Sequence, residues 1–275
     1  MSSQSEISRA GADEKAMRTT ETDLSRVVTI TPELFEKLYL TPKTPRVGDN
    51  VKRFANPTPL GFVGFVISTM TFAMVTMGWG GANGLAGVAG IFFFVGPLLL
   101  TLGFIFEWIM GNFFSMMVMG LFAVFWLSFG LLQLPTLALS SAYSATGDAA
   151  EGAASVGYNA TIALYLIVWG FALFTFFIFT LKTNVVFAAI FLFVTIAAWV
   201  LSGAYWKVAS GDYETAGKLQ KAGGALLFIV GALGWYMTFV MMAAEMRLAI
   251  NLPVGDLSRF WPKTDVEMAT AAKDE

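Results

Sequence analysis

The chain has 275 residues, 56% hydrophobic and 15% aromatic, with charge on 13% of positions and a net charge of −2. An ordinary soluble domain carries charge on about 25% of its residues, so a water-facing surface of normal polarity is excluded. With neither Cys nor His, the chain also lacks a disulfide framework, a thiol nucleophile, an imidazole base and the common zinc ligands. Between Phe54 and Trp206 the only charged residues are Glu107, Asp148, Glu151 and Lys182. The reading is an all-α integral membrane protein.

Residues 1–53 form a polar tail with nine Lys or Arg against eight acidic residues. No apolar stretch follows Met1, so a cleaved signal peptide is not expected. The composition predicts a mostly disordered segment. Thr31-Pro32 reads as a cap followed by proline at the first helical position, and Leu34/Leu38 and Phe35/Tyr39 repeat at i,i+4. A short helix lying on the membrane surface is expected there.

Six apolar runs of membrane-crossing length follow, near 58–79, 85–106, 113–134, 160–181, 185–206 and 222–244. Runs of this length mean helices rather than barrel strands, because lipid tolerates only closed backbone hydrogen bonding. With the N-terminus inside, the cytoplasmic segments hold 14 Lys and Arg and the outer loops only Lys207, Lys218 and Lys221. That asymmetry predicts cytosolic N- and C-termini. The organisation expected is a tail over 1–53, a six-helix transmembrane domain over 54–247 and a cytosolic C-terminal tail over 248–275. The outer segment 140–157 is simple in composition, and the glycosylation triplet at Asn159 abuts a span too closely to be modified.

Asn56, Asn83, Asn112, Asn159 and Asn184 lie at or beside the starts of five spans, where asparagine satisfies orphan amide donors. Asn56, Asn112 and Asn184 open the odd-numbered spans on the cytosolic side. Converging there, three positive helix ends would make an anion site, with Thr58 in the first turn. Lys52, Arg53 and Lys182 would add a cationic vestibule. In Asn56-Pro57-Thr58-Pro59-Leu60-Gly61-Phe62 the prolines fall within the first turn, where no hydrogen bond is lost. Gly61 and Gly64 then leave one face open to close approach.

That string resembles the signature of the acetate uptake transporter family, which includes the bacterial succinate–acetate permease and fungal acetate and ammonia-export permeases. Gly96, the Glu107…Gly111-Asn112…Phe114 pattern, Phe125-Trp126, Thr180-Leu181-Lys182-Thr183-Asn184 and Leu252-Pro253-Val254-Gly255 follow in family order. The resemblance covers about residues 54–257, and the long polar tail looks like the fungal branch. It implies a homohexamer with a pore in each protomer, passing small monocarboxylates as a proton-coupled carrier or an anion channel. It also implies a constriction at Phe65, Phe122 and Val194. Two positions depart from the usual pattern, with Phe122 where Tyr is common and Val194 where Leu is common. Leu100 stands where Gln is usual. These changes make the pathway drier and bear on acetate specificity, though not on the fold.

Phe65, Thr69, Phe72 and Thr76 fall on one stripe of the first helix. As a pore wall the stripe alternates hydroxyls with rings; as packing, each threonine bonds back to its own helix. Phe65 is assigned to the pore only because the family resemblance implies it; an apolar neck there would gate by dewetting. Glu107 and Glu245 close the second and sixth spans, as interfacial carboxylates (Glu245 with Arg247 nearby) or as proton-coupling groups. Ala82, Ala86 and Gly90, and the pair Gly64/Ser68, are small-residue repeats expected to pack helices. The methionines are expected to fill packing gaps.

No catalytic apparatus, cofactor loop, metal cluster or nucleic-acid motif is present in the sequence, so no enzyme is expected. The expected partners are the lipid bilayer, acetate or a similar small carboxylate, and further copies of the chain, at the plasma membrane. Two other functions fit the same sequence. One is transport of ammonium or another small anion; the other is a membrane sensor or scaffold acting through a phosphorylatable tail.

Overall fold

The structure is a computed structural model that describes residues 54–250 and 252–262. The tail 1–53, with the expected surface helix, Lys52 and Arg53, lies outside the described residues, as do Asn251 and residues 263–275. Six helices are long and apolar enough to cross a membrane: α1 Thr58–Met77, α2 Ile91–Met110, α3 Phe113–Leu132, α4 Val156–Thr180, α5 Val185–Ala209 and α6 Tyr213–Glu245. Among the described residues no strand forms beyond an isolated bridge between Asn184 and Asp256.

The local chemistry explains most of the boundaries. The Asn56 side chain accepts from the Thr58 amide at 3.0 Å, and Pro57 and Pro59 occupy the turn that needs no donors. Ser155, Asn184 and Asp212 cap α4, α5 and α6, accepting from Tyr158, Phe187 and Thr215 respectively. Gly78 and Gly111, with φ of 80° and 78°, end α1 and α2 in left-handed caps that favour glycine.

Two of the expected spans are displaced. The second begins at Ile91 rather than near 85: Gly80, Gly81 and Gly84 take positive φ, and residues 86–88 then form a separate 3₁₀ turn before the span. Ala82, Ala86 and Gly90 therefore lie in a connection rather than along a helix, and a Cβ added at Gly90 meets nothing within 4 Å. The last span begins at Tyr213, nine residues before its apolar run. Asp212 caps it, and the Glu214–Lys218 pair at i,i+4 supports its polar first turns. Between Leu132 and Val156 lie short 3₁₀ turns and a helix, Ala149–Ala154.

The helices pack in a ring: α2 lies between α1 and α3, α5 lies between α4 and α6, and α6 returns against α1. Side chains close the α3–α4 seam, with Phe125 and Trp169 rings 5.0 Å apart and the Ser128 and Tyr165 hydroxyls in contact. Glycines bring α1, α2 and α3 together. A Cβ at Gly64 would lie 2.7 Å from Leu99 Cβ and 2.9 Å from the Val95 carbonyl. One at Gly96 would meet Ser68 Oγ at 2.9 Å and Trp126 Cδ1 at 3.0 Å, so Gly64 and Ser68 pack helices as expected. The first turn of α2, Ile91–Val95, is π-helical, and this wider turn leads into Pro97, which has no amide to donate.

Candidate functional site

The described chain enters and leaves at one end of the bundle, called proximal here, where α1, α3 and α5 begin. Glu107, in the last turn of α2, is fully buried there. Thr58 Oγ1, from the first residue of α1, donates to its carboxylate, and Asn112 Nδ2, at the start of α3, donates to its other oxygen at 2.6 Å. The carboxylate thus meets the positive ends of two helices at once. Beside it, Asn56 Nδ2 donates to Glu245 Oε1 at 2.8 Å. Glu245 is exposed and takes Asn56 from across the bundle, whereas the sequence had suggested Arg247 as its neighbour.

The helix ends expected to receive an external anion are therefore met by the chain's own groups. Asn112 occupies the cap position of α3 but spends its amide on Glu107, with no side-chain cap bond. Asn184 caps α5 and is fully buried under residues 252–262. The Val185 amide donates to the Gly255 carbonyl at 2.8 Å, the Leu257 amide to Thr183 at 3.0 Å, and the Trp261 indole to Leu181 at 2.9 Å. Lys182 is half-buried in the same α4–α5 turn. Of the other asparagines, Asn83 is exposed in the α1–α2 connection, and Asn159 lies inside α4, its amide donating to the Ala153 and Ser155 carbonyls.

Phe65, Phe122 and Val194 come together near the middle of α1, α3 and α5, each no more than 6% exposed. The Phe65 and Phe122 rings lie 4.8 Å apart, tilted by 53°. Both residues line two separate cavities and form the septum between them. The proximal cavity, about 20 Å³, is walled by Gly61, Phe62, Leu100, Met119, Phe187 and Phe191 among others, with no polar side chain. The distal cavity, about 50 Å³, is walled by Phe72, Phe129, Leu166, Val194, Ala198 and Leu227, with Thr69, Trp126 and Trp169 its only polar side chains. A water needs about 10–15 Å³, so the first holds one or two at most and the second a few.

Neither threonine of the α1 stripe bonds back to its helix: the Thr69 and Thr76 hydroxyls are both buried without a partner among the described residues, and Thr76 lies outside the cavity walls. Phe65, Thr69 and Phe72 all line the distal cavity. Thr195 and Thr238 bond back to the carbonyls four residues earlier, whereas Thr69 does not. Phe62, Met119, Phe187 and Phe191 escaped the sequence reading. Nothing marks them among 26 phenylalanines and 14 methionines except position, since Phe62 precedes Phe65 by three and Phe187 caps onto Asn184.

Six membrane-length helices enclosing two small apolar cavities, with Phe65 and Phe122 between them, define a multi-pass helical membrane protein. The model of the GPR1/FUN34/yaaH family matches residues 40–259, and the chain belongs to that family. It is 39% identical to Protein alcS of Aspergillus fumigatus over 254 residues, 91% of this chain and 93% of that one. It is 31% identical to the acetate transporter protein patA of Aspergillus clavatus, over 76% of this chain and 81% of the relative. Among solved structures, the bacterial acetate channel SatP matches with a TM-score of 0.56 at 24% identity, over 74% of this chain and 99% of that one. The fold is therefore shared with that channel.

Proposed function

We propose that the protein carries small monocarboxylates, acetate foremost, across a membrane through the axial passage of each protomer. The observation that carries this reading is the pair of apolar cavities meeting at Phe65 and Phe122. A lone carboxylate in such surroundings has an uncompensated charge, a cost of many kcal/mol, whereas the undissociated acid loses only hydrogen bonds with water. The species that passes the septum is accordingly the acid with its proton, and Val194 borders the distal approach. The kinship with patA supports acetate as the substrate.

On this reading the proximal end faces the cytosol, in keeping with the excess of Lys and Arg on its side. Lys52, Arg53 and Lys182 would concentrate the released anion there. Glu107 and Glu245 are the groups through which the proximal end would take up or release protons. A homohexamer in the plasma membrane, with one passage per subunit and no enzymatic step, completes the proposal.

The test is labelled-acetate flux into proteoliposomes under imposed pH gradients. Acid outside should accelerate entry, and Phe65→Ala should raise the rate and admit larger carboxylates such as propionate and succinate. No carboxylate flux from a correctly assembled preparation would overturn the reading. A counterflow panel that includes ammonium separates the alternative substrates.

A further inference from the structure

Two buried hydrogen-bonding atoms in the wall of the distal cavity have no partner among the described residues. They are the Thr69 hydroxyl on α1 and the Trp126 indole N–H on α3. Both side chains are at most 3% exposed. Each exception needs an explanation, since buried polar groups are ordinarily paired. Threonines elsewhere in these helices show that pairing was within reach: Thr175, Thr195 and Thr238 each donate to the carbonyl four residues back. The indole is wedged among the Phe72, Phe92 and Phe125 rings, and Gly96 receives its Cδ1 edge, so its orientation is set by packing. The rest of the wall is aliphatic and aromatic, Trp169 adding a second indole.

We propose that the distal cavity is a carboxyl-binding station in which the Trp126 indole N–H and the Thr69 hydroxyl together hold the substrate's carboxyl group. The inference rests on the transport reading above and adds the residues that select the substrate before the septum. An undissociated carboxylic acid satisfies both positions: its carbonyl accepts from the indole, and its O–H donates to the threonine oxygen, which can accept as well as donate. The short alkyl end then lies against Leu166, Ala198 and Leu227. Ammonium fits the station less well, because it has no lone pair to accept from an indole that can only donate. The station stands one step distal of Phe65 and Phe122, where the acid has already shed its water.

The experiment uses full-length protein in proteoliposomes, with labelled-acetate counterflow measured across a range of acetate concentrations. Trp126→Phe keeps the ring and removes the donor; Thr69→Val keeps the shape and removes the hydroxyl. Each should raise the half-saturating acetate concentration about three- to tenfold, the loss of one neutral hydrogen bond, with assembly and thermal midpoint retained. Thr175→Val, whose hydroxyl serves only its own helix, should leave it unchanged. Unchanged half-saturation in either folded variant overturns the station and assigns the two atoms to trapped water, while the transport reading stands. Wild-type protein supplies a second readout. Solid-state NMR with carboxyl-¹³C acetate and indole-¹⁵N tryptophan should show one dipolar contact at about 4 Å, and its absence counts equally against the station. Lack of any acetate flux by the wild type would instead remove the transport reading itself.

Discussion

Glu107 sets the terms at the residue scale. A carboxylate at the C-terminal end of α2 faces its own helix's negative end, an unfavourable position. It is held there by the opposite ends of two neighbours, through Thr58 and Asn112. Gln at this position can still accept from Asn112 and donate to Thr58, so Glu107→Gln should cost under about 1 kcal/mol. Glu107→Leu strands a buried hydroxyl and a buried amide and should cost about 2–4 kcal/mol. Thermal unfolding in detergent distinguishes the two. A transport-versus-pH profile that Glu107→Gln and Glu245→Gln both leave unmoved would take these acids out of the proton route.

Close approach of α1 and α2 is the decisive contact at the scale of elements. Gly64→Ala would push a methyl group into Leu99 Cβ and the Val95 carbonyl, and backbone cannot swing aside as a side chain can. It should destabilise by about 1–3 kcal/mol, whereas Gly87→Ala, in open space within the connection, should be nearly neutral. Denaturation midpoints of the two variants check this. The same elements show what the sequence could reveal. The number of spans was legible because hydrocarbon thickness sets a minimum apolar run. The start of α2 was misread because Ala82, Ala86 and Gly90 have helical spacing, while Gly80 and Gly81 just before them and Gly84 among them take positive φ. The polar start of α6 was hidden because hydropathy registers membrane depth, not helicity; Asp212 and the Glu214–Lys218 pair were its available signals. The cavity walls were hidden for another reason. A ring facing a void and a ring facing lipid look alike in a sequence, so Phe65 and Phe122 emerged only through the family resemblance.

Across the whole molecule, the two ends are sealed differently. At the distal end a compact loop holds Glu151, whose carboxyl accepts from the Ser144 and Thr146 hydroxyls at 2.6 Å and 2.5 Å. These bonds keep its pKa below the ordinary carboxylate value of 4.5. A depressed folded-state pKa contributes order above the ordinary value, and that contribution is lost as pH falls through the folded-state value. Protection factors against amide hydrogen exchange over residues 144–154, taken relative to the intrinsic rate at each pH, should therefore fall below about pH 4.5 and more steeply than elsewhere. Ser144→Ala should remove part of that pH dependence. The proximal end is held by main-chain pairing between residues 252–262 and the α4–α5 turn, together with the contacts that Thr58, Asn112 and Asn56 make to Glu107 and Glu245.

That pairing has a consequence in time. Thr183, Asn184 and Val185 leave the ribosome some seventy residues before Gly255, Asp256 and Leu257 that cover them. Through that interval the Asn184 side chain already caps the start of α5. The seam at the start of α5 closes only once residues 255–257 have been made. A premature stop just after α6 would spare every membrane helix and still leave a protein with an open seam. Quality control would then see an assembly defect rather than a transport defect.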